Sequence, residues 1–151
     1  MSFYLIFLKC HLSENRLIEE NTMSFVYYQP NPNKRNGIGD CTIRAVSKAI
    51  GISWDTAYID LVMEGYLLKD MPSSNEVMNS YLRGKGFRRY SIPNTCPDCY
   101  SFEDFANDHP TGTYIVGTGT HVACIHNSML YDSWDSSDCI PLYYYERSES
   151  W

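Results

Sequence analysis

The spacing of apolar positions changes along the chain, and the change separates two kinds of element. Between Cys41 and Gly84, apolar residues recur at three- and four-residue intervals, the mark of amphipathic helices. The first predicted helix carries Ile43, Val46 and Ile50, with Asp40 at its N-cap and Gly51 at its end. Ser53 opens a second, whose face is Trp54, Ala57, Tyr58, Leu61 and Val62 and which Gly65 closes. A third starts near Ser73, where Glu76 completes a capping box, and buries Val77, Met78, Tyr81 and Leu82 before Gly84 stops it. Ser101 with Asp104 caps a short helix bearing Phe102, Phe105 and Ala106, which ends before His109-Pro110.

Residues 87–92, 113–118, 121–125, 130–134 and 140–147 are instead short β-rich runs with turns between them. Residues 31–39 are rich in Asn, Pro, Lys and Gly and form a loop. Most helices come first and an antiparallel sheet second. That segregated order predicts the α+β class rather than a parallel α/β sheet.

Composition narrows the picture. The chain has 151 residues, enough for one domain with its own core. Thirteen tyrosines suit half-buried strands and grooves, because each joins an apolar ring to a polar tip. A formal net charge of −6 argues against nucleic acid as a partner. The one basic cluster, Arg83, Lys85, Arg88 and Arg89, reads as a solvated turn and strand edge. Six cysteines without a regular framework predict reduced thiols and a cytoplasmic setting. No apolar run is long enough to span a membrane, so no membrane partner is expected.

Residues 1–22 stand apart from the domain expected over 23–151. Phe3 to Leu8 are apolar, but no basic residue precedes them and no cleavage site follows, so they make a poor signal peptide. They read as a leader or tail. Glu19-Glu20 can be encoded by a purine run resembling a bacterial ribosome-binding site, and Met23-Ser24-Phe25 repeats the opening Met-Ser-Phe. Translation is therefore expected to start at Met23, and the intact mass of the native protein checks this.

Candidate chemistry begins at Cys41. It opens a helix after Gly39-Asp40, so its thiol faces unpaired backbone N–H groups and the positive end of the helix dipole. Both favour thiolate, the nucleophilic form. Taken alone, such a cysteine reads as inert core. His121 changes that reading. It starts a strand after a Gly-Thr stretch, and Asn127-Ser128 marks the following turn. Pairing about that turn sets 126 opposite 129 and therefore 121 opposite 134. Asp132 is then a diagonal cross-strand neighbour of His121, where a carboxylate fixes the imidazole tautomer.

A Cys on a helix N-terminus, followed by His and Asp on one hairpin, is the chain order of papain-like peptidases. The stretch Gly39-Asp40-Cys41-Thr42-Ile43-Arg44-Ala45, with His121-Val122 and Tyr131-Asp132-Ser133-Trp134, resembles small bacterial or phage members of that clan. The peptidase domains of bacteriocin-processing transporters are one such group. The resemblance covers roughly residues 29–145. It implies a papain-like fold and a cysteine peptidase or amidohydrolase acting on peptide or isopeptide bonds. Cys41 would be nucleophile, His121 base and Asp132 its orienter, with a peptide or protein substrate and no cofactor or metal. Such enzymes usually place Gln six residues before the Cys, where this chain has Arg35. Gln29, Asn31, Asn33 and Asn36 offer a side-chain amide instead, and Asn33 is the expected oxyanion donor. The alternative is a non-catalytic binding or inhibitor domain on the same fold.

Other features are weaker. Cys96-Pro97-Asp98-Cys99 is a CxxC without a βαβ context for redox work or a second close pair for zinc. Cys124 is expected in the core, and His126 and His109 in loops. Trp134 reads as core packing and, compatibly with that, as a ring shielding the His–Asp bond from water.

Overall fold

Alternate residues of the central strands serve two different cores, and this alternation fixes where each helix sits. The computed structural model of the chain describes residues 23–35, 37–93 and 99–148. The elements run β1 (Ser24–Tyr27), α1 (Cys41–Ile50), α2 (Trp54–Leu68), α3 (Asn75–Gly84), β2 (Phe87–Ser91), α4 (Phe102–Asp108), β3 (Thr113–Gly117), β4 (Val122–His126), β5 (Met129–Asp132) and β6 (Tyr143–Arg147). The class is α+β, with the strands in one mixed sheet ordered β1-β5-β4-β3-β6-β2.

One sheet face carries Ile115, Val122, Cys124, Tyr143 and Tyr145 against Ala45, Val46, Ala57, Leu61, Val77 and Leu82 of the first three helices. The other carries Tyr114, Val116, Ala123, Ile125 and Leu130 against Phe102, Phe105 and Ala106 of α4. Both cores follow from the two-residue period of a strand. Cys124 is fully buried, as expected, and burial pushes its thiol up to about 12.

Several expectations are corrected. The sheet is mixed rather than antiparallel, because Ser24–Tyr27 pairs parallel with β5 along Ser24↔Met129 to Tyr27↔Asp132. This strand is short and half-exposed, so no alternation marks it. Gly65 does not end α2, which continues to Leu68 and ends on Lys69 in the left-handed region (φ 59°). Gly65 is there for space, since a Cβ would meet the Asp70 carbonyl at 2.7 Å. α2 buries Ala57, Leu61 and Gly65, whereas Tyr58 stays exposed. Ser74, not Ser73, caps α3 by accepting from Val77 N–H, which removes Glu76 from the capping box. The Ser101–Asp104 capping box of α4 is present. Asp40 stands at the N-cap of α1 but makes no side-chain cap bond. Residues 1–22, Asn36 and Cys96 to Asp98 lie outside the described residues, and Cys99 is exposed. Among the described residues, no helix is long and apolar enough to cross a membrane.

Candidate active site

Cys41 is the first residue of α1, which packs across β4. Gly39 precedes it in an exposed bend, and the Asp40 carboxylate turns away from the helix end. Its oxygens take Arg44, Trp54 Nε1 (3.0 Å) and Asn31 Nδ2 (3.5 Å) instead. Asp40 therefore leaves the first turn of α1 uncapped, and Cys41 and Thr42 of that turn line the cavity.

His121 sits immediately before β4. Its backbone N–H donates to Thr118 Oγ1 at 2.9 Å, and Thr118 N–H donates back to the His121 carbonyl at 2.8 Å. This turn holds the ring at the strand's entrance. β4 and β5 pair with His126 opposite Met129 and Cys124 opposite Tyr131, the expected register. It brings Asp132 Oδ2 to 2.6 Å from His121 Nε2.

Cys41 and His121 wall the same cavity, and the His121 ring and Val122 N–H lie near enough to the thiol to act on its titration. With Nε2 engaged by Asp132, Nδ1 is the ring nitrogen left to exchange a proton with the thiol. The three residues named from the sequence are thus brought to one place: Cys41 and His121 share a cavity wall, and His121 is bonded to Asp132.

Titration of each group reflects two opposing effects. Burial pushes the Cys41 thiol up, but its hydrogen bonds from His121 and Val122, and the nearby charges of His121 and Arg44, leave it below the usual 9.0. Burial pushes His121 down, but Asp132 and Cys41 outweigh it and raise the ring to about 9. Asp132 is 2% exposed, yet its bonds to His121 and Ser136 outweigh desolvation and hold it below the ordinary carboxylate value. A lowered thiol beside a raised imidazole shifts the balance toward the thiolate–imidazolium pair.

The sequence reading gave no role to Arg44 or Ser136. Arg44 is buried on α1 and bridges Asp40 to Asp132 Oδ1, the latter at 3.2 Å. Ser136 Oγ donates to Asp132 Oδ2 at 2.7 Å. The i,i+4 spacing of Asp40 and Arg44 signals a pair on one helix face, but not that Asp132 joins it.

Trp134 is 49% exposed, so it is not core; its ring lies 5.0 Å from that of His121 and covers one side of it. His126 Nδ1 bonds Thr113 Oγ1 and His109 Nδ1 bonds the Phe105 carbonyl, both far from the thiol in the fold.

Asn33 is not brought to the site. It lies exposed in a turn pinned by Asn33 N–H to Asn31 Oδ1 (2.9 Å) and is absent from the cavity wall. Gln29 and Asn31 are buried and engaged with Arg35 and Asp40. The cavity over Cys41 and His121 has a volume of about 350 Å³. Its further walls are Ser73, Asn75, Gly119, Thr120 and Tyr143, neutral groups that hydrogen-bond without adding charge. Asn75 is the side-chain amide in it, with Oδ1 accepting from Tyr143 Oη at 3.4 Å.

No protein-family model, curated protein or solved structure matches this chain.

Proposed function

We propose that the chain is a cysteine hydrolase of papain-like arrangement that cleaves peptide, isopeptide or side-chain amide bonds. The observation that carries this reading is that Cys41, at a helix N-terminus, shares one cavity wall with His121, whose ring is bonded to buried Asp132.

The chemistry follows from the residues. The Cys41 thiolate attacks the carbonyl carbon, and the C=O electron pair moves onto oxygen. The uncapped N–H groups at the start of α1 would stabilise that oxyanion, with Asn75 the side-chain amide in the cavity wall. Collapse expels the amine, which takes the proton of His121⁺, and leaves a thioester on Cys41. Water then attacks the thioester while His121 takes its proton, and the acid product leaves with the thiolate restored. Asp132 stays ionised throughout and keeps Nδ1 aimed at sulfur. With glutamine as substrate the leaving group is ammonia.

Incubating the protein with a complex peptide mixture and reading new termini or deamidated side chains by mass spectrometry tests this. The wild-type chain is expected to generate products that Cys41→Ala does not. Identical mixtures from both would reject the hydrolase in favour of a binding role.

A further inference from the structure

We infer that the groove leading away from Cys41 between α3 and the edge strand β2 takes an extended acidic polypeptide segment. The inference rests on the hydrolase reading for calling that segment substrate, and on the following geometry for its charge and direction.

Helix α3 starts at the Cys41 cavity with Asn75 and continues with Asn79 and Arg83 at four-residue spacing. Residues so spaced share one helix face. Asn79 and Arg83, with Arg88 and Arg89 of β2, line a second cavity of about 510 Å³. Tyr143 walls the first, and the Arg89 guanidinium of the second lies 4.2 Å over its ring, so the two cavities are neighbours along the helix. A row of polar side chains therefore runs along α3 from the wall of the Cys41 cavity to the arginines. At about 1.5 Å per helical residue it is roughly 12 Å long. At about 3.3 Å per extended residue it holds roughly three to four residues of substrate.

The walls specify an extended backbone and negative side chains. β2 pairs with β6 on one side and, among the described residues, is the outer strand of the sheet. Ile92 N–H bonds the Leu142 carbonyl and Ser148 N–H the Gly86 carbonyl. The antiparallel alternation between these pairs turns the N–H and C=O of Phe87, Arg89 and Ser91 away from β6, toward an added strand. Phe87 and Arg89 face α3, so Arg88 projects from the opposite face, and arginines flank the edge on both sides. Among the described residues Arg83, Arg88 and Arg89 make no ion pair, in a chain whose net charge is −6. Edge-strand charges also deter edge-to-edge aggregation. That role does not extend to Arg83, which belongs to the helix across the groove.

The test is binding of fluorescein-labelled extended peptides to the Cys41→Ala chain, followed by anisotropy. Two peptides about ten residues long differ only in a Glu-Glu pair against Gln-Gln. At about 50 mM salt the Glu peptide is expected to bind at least about tenfold tighter. In the triple variant Arg83→Gln, Arg88→Gln, Arg89→Gln, with its far-UV circular dichroism unchanged, the preference is expected to fall below about twofold. Equal binding of the two peptides, or an undiminished preference in the variant, overturns the inference. So does an oligothymidylate of equal charge binding as tightly as the Glu peptide, which would show attraction for any polyanion. The readout needs no nucleophile, so an inert Cys41 in the wild-type chain would reject the hydrolase separately from the groove.

Discussion

At Asp132 four donors converge on one buried carboxylate: His121 Nε2 and Ser136 Oγ on Oδ2, Arg44 and Ser133 N–H on Oδ1. That saturation keeps the group ionised and leaves the imidazole a single orientation. Asp132→Asn removes the charge and sets an amide N–H against one of these donors. It is expected to lower turnover by about two to four orders of magnitude while Cys41 stays in place. Measuring kcat/KM beside alkylation of Cys41 separates the two effects. The same groups set a pH window. Thiolate is lost as pH falls through the lowered Cys41 pKa, and the proton needed by the leaving group is lost as pH rises through about 9 at His121. A bell-shaped kcat/KM profile is expected, with its alkaline limb near 9. A rate still rising through that limb would exclude His121⁺ as the acid.

At the scale of elements, the Arg44 bridge ties α1, which carries the thiol, to the end of β5, which carries Asp132. Arg44→Met leaves buried Asp40 without its cation and Asp132 with His121 alone. It is expected to cost about 3–5 kcal/mol in urea unfolding, against a small effect for an exposed arginine such as Arg35. Gly65→Ala forces a Cβ into the Asp70 carbonyl and is expected to cost about 1–3 kcal/mol in the same measurement. These elements also mark what was legible in the sequence. The stripe Val77, Met78, Tyr81, Leu82 and the Ser101–Asp104 box are local patterns, and they formed as read. Gly65 looked like a stop because the returning loop that needs its missing side chain is a tertiary partner. Ser24–Tyr27 carries no pattern of its own and becomes a strand only because β5 lies beside it.

Across the whole molecule, the candidate site lies where the first three helices meet the ends of β4 and β5. His121 and Asp132 were legible because one hairpin register relates them, and that register depends on the turn at Asn127-Ser128 alone. Their meeting with Cys41 depends on α1 packing over β4, which only chain order and the resemblance suggested. Asn33 was misplaced for the same reason: a loop's path depends on what it packs against, and here Asn31 and Gln29 turn inward while Asn33 stays in solvent.

The central claim is that His121 activates Cys41 by lowering its thiol below the ordinary 9.0. Site-resolved alkylation by iodoacetamide, followed by mass spectrometry from about pH 4 to 10, tests it most directly. Cys41 is expected to react well below pH 9.0 and ahead of Cys99, Cys124 and Cys139, and His121→Ala is expected to return its midpoint toward 9.0. A Cys41 midpoint at or above 9.0 in the wild-type chain, unmoved by His121→Ala, would contradict it.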